Sequence, residues 1–121
     1  MIIFIHENNL DNILREVYNS TKEVPCSYSE FLTVLDSNCD IFVFSWGIII
    51  YDKVKGDFHI EVLEEYRGKW DKSDAEKVIT ALPKPVTAPI HTHNIRAQNF
   101  VLHMGFKFLS SDDTYNTYIK E

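Results

Sequence analysis

The sequence predicts an α+β fold in which about four helices accompany a central mixed, mostly antiparallel sheet. Three observations lead to this class. Several segments carry apolar residues at helical spacing, other short runs alternate or are apolar throughout as strands are, and turn residues separate neighbouring runs. The predicted order is strand, two helices, several antiparallel strands, helix, strand, helix and a final strand pair. The sequence shows no internal repeat.

Size and charge narrow the classes of function. The chain has 121 residues, of which 45% are apolar, so we expect a single domain over residues 1–121 with one core. A formal net charge of −6 opposes non-specific binding to nucleic acid. The apolar run at residues 1–5 is too short to span a membrane, and we expect a cytoplasmic protein. Cys26 and Cys39 lack a CxxC spacing and are predicted to be reduced thiols.

The first predicted elements are a strand and a helix. The run Ile2–Ile5 is apolar enough that we expect a strand with both faces covered. Asn8 or Asn9 can cap the next helix, whose apolar stripe consists of Leu10, Ile13, Leu14, Val17 and Tyr18. We expect the proline of Val24-Pro25 to end this helix, because proline disrupts a helix interior.

A second helix and a long extended region follow. Ser27 or Ser29 can cap the helix, and the polar residues 36–38 predict a turn after it. The pattern then becomes extended and is interrupted by Gly47. Two interpretations fit: one long strand with a bulge at Gly47, or two strands joined by a tight turn. A further turn is predicted at Gly56, so the middle of the chain is interpreted as an antiparallel meander.

The most informative stretch runs from Phe58 to Lys72. Its pattern predicts a strand, a basic turn and the start of a helix. A helix N-terminus after a strand favours anions, because its first N–H groups lack partners within the helix. Arg67 and Lys69 add two cations to this turn. Trp70, however, stands where a turn that fits closely around a phosphate would use glycine.

The rest of the chain predicts two helices and three strands. A helix begins at Asp71 or Ser73 and has an apolar face of Ala75, Val78, Ile79 and Leu82. Asn94 caps the last helix, Gly105 ends it, and its apolar face consists of Ala97, Phe100, Val101 and Met104. The predicted strands are residues 87–92, 106–109 and 115–119.

Two motifs of this chain resemble those of the Gcn5-related N-acetyltransferases, the GNAT superfamily. The first motif is the strand-end sequence Val62-Leu63-Glu64-Glu65-Tyr66-Arg67-Gly68-Lys69. The second is the late helix from Asn94 to Phe106, which is similar to the family form N-x-x-A-x-x-(aromatic or aliphatic)-Y-x-x-x-G-F. The resemblance implies a GNAT-like three-layer α/β/α fold, with acetyl-coenzyme A as the cofactor of active members.

The resemblance also implies roles for individual residues. The cofactor would be held by Asn94 at its pantetheine arm and, around its pyrophosphate, by Val62, Leu63, Arg67, Gly68 and Lys69. Acetyl transfer to an amine requires a base that takes up the ammonium proton. The candidate catalytic residues for this role are Glu61, Glu64 and His93.

The sequence departs from the GNAT pattern in both motifs. The family's phosphate turn has the form R/Q-x-x-G-x-G/A, which places small residues where this chain has Trp70 and Lys72. The family's tyrosine, which by resemblance reprotonates the leaving thiolate, is replaced by Val101. We therefore predict a non-catalytic GNAT-fold protein with a degenerate acyl-CoA site. The alternative is an active acetyl-CoA-dependent N-acetyltransferase with an altered phosphate loop.

The non-catalytic prediction implies protein partners. Small acidic versions of the fold with a Glu-Tyr-Arg-x-Lys turn look like internal virion proteins of short-tailed bacteriophages. This resemblance implies a virion or host protein as partner, and packaging in a virion as an alternative to the cytoplasm. A further alternative is an inhibitor whose acidic surface mimics nucleic acid. The aromatic-rich middle strands could also pair in a homo-oligomer.

The histidines raise the question of a zinc site. His91 and His93 lie on the same face of a predicted strand, and His103 follows in the next helix. No neighbouring cysteine or acidic cluster completes a ligand set in the sequence. We therefore predict that these residues bind no metal.

Overall fold

A computed structural model describes residues 1–20 and 26–121 of the chain. These residues form seven strands, four α-helices and one 3₁₀ helix. In chain order the elements are β1 (Ile2–Phe4), α1 (Leu10–Ser20), α2 (Tyr28–Asn38), β2 (Cys39–Phe44), β3 (Gly47–Asp52), β4 (Asp57–Val62), the 3₁₀ helix (Glu64–Tyr66), α3 (Lys72–Ala81), β5 (Val86–His91), α4 (Ile95–His103), β6 (Lys107–Ser111) and β7 (Tyr115–Lys120). Within the described ranges, no helix combines the length and apolar character needed to cross a membrane.

The strands form one mixed sheet in the order β1-β2-β3-β4-β5-β7-β6. The pair β1–β2 is parallel, and β4 is parallel to β5 at the residue pair Asp57↔Thr87. The pairs β2–β3, β5–β7 and β6–β7 are antiparallel. The predicted α+β class with a mixed sheet is therefore confirmed. The predicted break at Val24-Pro25 lies outside the described residues.

The chain divides into two compact units that both draw on β4. The first unit consists of Met1–Val54 and Ile60–Trp70, and the second consists of Lys55–His59 and Asp71–Glu121. The two ends of β4 thus belong to different units.

The core of the first unit packs α1 and α2 on β2 and β3. Its buried residues are Ile13, Leu14, Val17, Leu35, Cys39, Ile41, Val43, Ile48 and Ile50. The predicted apolar stripe of α1 supplies the first three of these. Complete burial of a side chain of this size contributes about 1.5–3 kcal/mol before the loss of chain entropy is counted. The core therefore depends on the helical spacing that the sequence displays.

Polar side chains set the starts of both helices in the first unit. The Asn9 side chain accepts a hydrogen bond from the Asn12 N–H at 3.2 Å, and Ser27 accepts one from the Glu30 N–H at 3.2 Å. Both are among the predicted cap residues. The turn predicted at residues 36–38 is wrong, because α2 continues through them to Asn38. Asp36 and Ser37 are exposed, and short polar residues at an exposed helical end have the same sequence pattern as a turn.

The expectation that both faces of β1 are covered is wrong. The side chains of Ile2, Phe4 and Ile5 are 43%, 57% and 45% exposed, respectively. The reason is position, since β1 is an end strand of the sheet in the described part of the chain. An apolar run of this length cannot by itself distinguish an end strand from a central one.

The region around Gly47 forms two strands, which settles the alternatives left open by the sequence. Phe44 pairs with Gly47 in an antiparallel register, and Ser45 and Trp46 form the turn between β2 and β3. A Cβ atom added at Gly47 would lie 2.0 Å from the backbone oxygen of Glu61 in β4. Glycine is therefore required here by the close approach of the β4 backbone.

The second unit contains α3 and α4 together with β5, β6 and β7. The predicted apolar face of α3 is confirmed, because Ala75, Val78, Ile79 and Leu82 are all buried. The end of α4 is also as predicted: Gly105 has a positive φ of 92°, and the Phe106 N–H bonds to the Val101 carbonyl at 3.0 Å. The predicted final strands correspond to β6 and β7.

The close approach at Gly47 leads to a stability prediction. We expect Gly47→Ala to lower the free energy of unfolding by about 3 kcal/mol or more, because the clash involves backbone that cannot move independently. Gly68→Ala is the control, since Gly68 has a positive φ of 80° but no atom within 4 Å of the added Cβ. Its cost should be only about 1–2 kcal/mol of backbone strain. Equal losses for the two variants in urea unfolding would contradict this account.

Candidate functional site at the turn after β4

The backbone of the turn after β4 forms hydrogen bonds within the turn. The predicted strand-turn-helix stretch contains an unpredicted 3₁₀ helix at Glu64–Tyr66 before α3 begins. The N–H groups of Tyr66, Arg67 and Lys69 donate to the carbonyls of Leu63, Glu64 and Tyr66 at 2.9, 3.2 and 3.0 Å. These three amides are directed into the turn. A turn that cradles a phosphate must instead offer its N–H groups to the ligand.

Trp70 packs inward at the end of this turn. Its ring lies 4.4 Å from the Trp46 ring, at an angle of 37°. The Trp46 side chain is 2% exposed and stacks on Phe44, with the ring centroids 4.7 Å apart. These three rings form a continuous stack, which we call the aromatic stack. Trp70 therefore fills space beside the turn as a packed side chain.

Trp46 also fixes the start of the turn. The Leu63 N–H donates to the Trp46 carbonyl at 2.8 Å, and the Leu63 side chain packs against the core of the first unit. The segment from Leu63 to Trp70 is consequently tied to Trp46 at both of its ends. Val62 and Leu63, predicted to bind a cofactor, are half-buried, whereas Arg67, Gly68 and Lys69 are exposed.

Acidic groups surround the groove beside the turn. The groove has a volume of about 440 Å³ and is lined by Leu63 and by three carboxylates, Glu16, Glu64 and Glu65. Carboxylates oppose the binding of a phosphate and favour that of a cation. Arg67 and Lys69 are exposed on the adjoining turn and do not line the groove.

Glu61 is the titratable residue of this region that stands out. It is half-buried, and burial raises the pKa of its carboxyl group, while Arg67 opposes the shift and Glu16 adds to it. A carboxylate with a raised pKa is a better proton acceptor near neutral pH. Of the three predicted catalytic residues, Glu61 thus has the electrostatic character of a base, and Glu64 is an exposed residue that lines the groove.

The start of α3, in the second unit, already has an anion. Asp71 accepts hydrogen bonds from the Ser73 N–H at 3.0 Å and from the Ser73 hydroxyl at 2.7 Å, and these bonds lower the pKa of its carboxyl group. The Asp74 N–H donates to the Asp71 carbonyl at 3.3 Å. Asp71 is one of the predicted N-caps. Its carboxylate occupies the position where the helix dipole would favour a phosphate.

His93 and Asn94, the other predicted site residues, belong to the second unit. The Asn94 side chain accepts a hydrogen bond from the Ala97 N–H at 3.2 Å and therefore acts as the N-cap of α4, as predicted. His93 is exposed, and its ring lies 5.4 Å from that of His91. The structure thus places the other site residues, from Glu61 to Lys69, in the first unit and these two in the second. Nowhere in residues 1–20 and 26–121 do three or more His, Cys, Asp or Glu residues cluster as metal ligands.

Gln98 in α4 is a buried polar residue that the sequence analysis missed. Its side-chain amide donates to the carbonyls of His91 and Thr92 at 3.2 and 3.0 Å, and its oxygen accepts from Asn116 and Tyr118 at 3.0 and 2.9 Å. These bonds join α4 to β5 and β7. Its spacing of three residues from the buried Val101 was the available signal, because it places the amide on the inner face of the helix.

Val101, which the sequence resemblance matched to the family's tyrosine, faces the interior of the second unit. It is 2% exposed and belongs to the buried set of that unit. A valine side chain has no proton to transfer. The structure therefore gives this position a packing role.

The fold is that of the GNAT-like α+β proteins, with four helices and a mixed seven-stranded sheet in the described residues. Among solved structures, the chain is similar to a chimera of spermidine N-acetyltransferase SpeG from Vibrio cholerae and hSSAT. The two are 17% identical, the TM-score is 0.53, and the match covers 89% of this chain and 88% of the other. No protein-family model and no curated protein matches the sequence. The structural likeness establishes the fold, and the site must be interpreted from its own residues.

The Gln98 network leads to a prediction on the stability of the second unit. We expect Gln98→Ala to lower the free energy of unfolding by roughly 2–4 kcal/mol, because it leaves the buried Tyr118 hydroxyl without its acceptor. The neighbouring exposed Asn99→Ala serves as the control and should change stability by less than about 0.5 kcal/mol. Similar effects of both changes on chemical unfolding would show that the network contributes little.

The half-buried carboxyl group of Glu61 leads to a prediction on pH dependence. Because the pKa of Glu61 is raised in the folded state, the fold loses stability as the pH rises from the unfolded pKa to the folded pKa, and the loss is absent at low pH, where both states are protonated. We expect Glu61→Gln to be more stable than the unsubstituted chain at pH 7 and equal to it near pH 4 or below. Unfolding curves at several pH values measure the difference. Exposed Glu64→Gln is the control, and a matching gain in that variant would refute the assignment to Glu61.

Proposed function

We propose that this chain is a non-catalytic GNAT-fold protein that acts by binding a protein partner and has lost the use of acetyl-CoA. The observation that carries the proposal is the closed turn after β4. Its Tyr66, Arg67 and Lys69 amides bond to carbonyls of the same turn. The residues present therefore do not fit the pyrophosphate of the cofactor that the fold implies.

Opening the turn for a pyrophosphate would require the loss of several stabilising interactions at the same time. The three internal hydrogen bonds would break, and the Trp70 ring would have to leave the buried Trp46. Each backbone hydrogen bond contributes a net stability of about 0.5–1.5 kcal/mol, and an aromatic pair adds about 0.5–1.5 kcal/mol beyond its buried area. Phosphate contacts with Arg67 and Lys69 would have to exceed this sum. The nearby carboxylates of Glu64 and Glu65 oppose such binding.

The role as a binding component rests on what the surface offers. The net charge of −6 opposes non-specific contact with nucleic acid, so a protein is the favoured class of partner. The resemblance of the Glu-Tyr-Arg-x-Lys turn to internal virion proteins of short-tailed bacteriophages supports a virion or host protein in that role. It extends the proposed locations from the cytoplasm to a virion.

A second candidate is an acetyl-CoA-dependent N-acetyltransferase with an altered phosphate loop, and the observation that favours it is Glu61. Its raised pKa suits a group that takes up an amine proton, and the acidic groove formed with Glu16, Glu64 and Glu65 suits a cationic acceptor. The similar structure is a spermidine N-acetyltransferase chimera, so spermidine is the natural first acceptor to try.

Calorimetric titration with acetyl-CoA separates the two candidates. We expect no binding heat at ligand concentrations up to about 1 mM, where a contact of −4 kcal/mol would be detected. Micromolar binding that is lost in Arg67→Ala and kept in Lys107→Ala would contradict the proposal. Lys107 is the matched control because it is an exposed cation on β6, in the second unit.

An activity assay completes the test of the second candidate. Release of free thiol from acetyl-CoA in the presence of spermidine would show catalysis. If Glu61 were the base, Glu61→Gln would lower kcat by about 10²- to 10⁴-fold. Glu65→Gln, which alters an exposed groove carboxylate, is the control for a general charge effect. We expect no thiol release from any of these proteins.

A further inference from the structure

Two histidines lie side by side where β5 ends. His91 is the last residue of β5, and His93 follows in the turn that leads to α4. Their ring centroids are 5.4 Å apart, and the ring planes are inclined by 33°. His91 is half-buried and His93 is exposed. The two imidazoles therefore form a pair within the second unit that solvent can reach.

Hydrogen bonds hold the backbone that carries both rings. The Asn94 N–H donates to the His91 carbonyl at 2.9 Å, and the Ile95 N–H donates to the His93 carbonyl at 3.0 Å. The buried Gln98 amide also donates to the His91 carbonyl, at 3.2 Å. These bonds tie the turn to α4, so the spacing of the two rings is set before any ligand binds.

The His91 ring is also held by a neighbour across the sheet. His91 pairs with Tyr115 in the antiparallel register of β5 and β7. The centroids of these two rings are 4.7 Å apart. A packed ring restricts the rotamers open to His91, so less side-chain freedom is lost when this histidine binds a ligand. His91 is thus the fixed member of the pair, and His93 is the exposed one.

The separation of the two rings is compatible with coordination of one metal ion by both histidines. A zinc ion binds an imidazole nitrogen at about 2.0–2.1 Å and therefore lies about 3.2 Å from the ring centroid. Two such rings at the tetrahedral angle have centroids about 5.2 Å apart. The observed separation of 5.4 Å is close to this value.

We propose that His91 and His93 bind a divalent transition-metal ion, with Zn²⁺ as the first candidate, and that water fills its other coordination positions. Neutral imidazole is the side chain that most often binds such ions. From the sequence no metal was predicted at these histidines, because no cysteine or acidic cluster completes a ligand set. That reasoning applies to a closed site with four protein ligands, whereas an open site needs fewer. The proposal is independent of the proposed function.

The size of the ligand set limits the affinity. Across residues 1–20 and 26–121, no group of three or more His, Cys, Asp or Glu residues is placed to hold a metal ion, so His103 does not complete the pair. Structural zinc sites have four protein ligands, and two ligands should supply about half of their binding free energy. This corresponds to a dissociation constant between about 1 and about 200 μM.

Calorimetric titration with ZnCl₂, in a buffer that does not chelate metals, tests the proposal. We expect one zinc ion per chain with a Kd in this range. His93→Gln replaces the exposed imidazole with an amide, and His91→Phe keeps a ring beside Tyr115 but removes the coordinating nitrogen. Each should weaken binding by about tenfold or more. His103→Gln is the matched control, because His103 is an exposed histidine on α4, and it should leave the affinity unchanged.

A variant that restores a ligand separates metal coordination from a general effect on the turn. Thiolate is also a zinc ligand, so His93→Cys should bind Zn²⁺ at least as tightly as the unsubstituted chain does. Cys26→Ser removes the half-buried thiol already present and should leave binding unchanged. Zinc at about ten times its Kd should also raise the urea midpoint of the unsubstituted chain but not that of His93→Gln.

Four results would overturn the proposal. The first is no binding of zinc up to about 1 mM. The second is binding that His93→Gln and His91→Phe leave unchanged, which would place the metal elsewhere. The third is an equal loss of binding in His103→Gln or Cys26→Ser. The fourth is a His93→Cys variant that binds no better than His93→Gln. Circular dichroism of each variant confirms that a loss of binding is not a loss of fold.

Discussion

The candidate site depends on Trp46, the buried residue of the hairpin turn between β2 and β3. Its carbonyl accepts the Leu63 N–H and its ring packs against Trp70, so both ends of the segment that follows β4 are fixed by one residue. Between these ends the amides of Tyr66, Arg67 and Lys69 bond within the segment. These hydrogen bonds and the ring contact stabilise the conformation of the segment and do not involve a ligand. The backbone N–H groups of this segment are therefore already paired and are not offered to a ligand.

The position of Trp46 in turn depends on Gly47. Without a Cβ at this residue, the backbone of β4 at Glu61 comes close to β3, and Leu63 can then reach the Trp46 carbonyl. The Glu61 side chain is half-buried, and burial raises the pKa of its carboxyl group. Packing also perturbs pKa values at sites that have no catalytic role, so the raised pKa is by itself weak support for catalysis.

The sequence was sufficient to predict the features that depend on residues close together in the chain. The stripes of α1 and α3 and the caps at Ser27, Asp71 and Asn94 follow from periodicity and from the hydrogen-bonding capacity of short polar side chains. The sequence also showed that Trp70 and Lys72 replace the small residues of a phosphate turn. Two predictions were wrong. The end of α2 is a helix boundary, and the exposure of β1 depends on its place at the end of the sheet.

Features that depend on distant residues could not be predicted. The ring that Trp70 contacts lies 24 positions earlier in the chain, in a turn that the sequence also allowed to be a bulge. The four hydrogen bonds of Gln98 involve residues on β7 and at the end of β5, which no local pattern connects to α4. The exposure of β1 follows from sheet order, which is set by pairing between remote segments.

Two of the departures from the GNAT pattern, Trp70 and Val101, lie in separate units and are packed locally, whereas the third, Lys72, is exposed at the start of α3. In the first unit the departure at Trp70 is part of the aromatic stack, and in the second Val101 is 2% exposed beside the bonded Gln98. A tyrosine at Val101 would add a ring to a filled interior and a hydroxyl to a site whose polar groups are already paired, and each of these changes is destabilising. A glycine at Trp70 would remove the contact with Trp46 but leave the turn's amides bonded to one another. Neither substitution alone would give its position the surroundings that the GNAT motif requires. This separation is the physical reason for preferring a binding role to an enzyme with one altered loop.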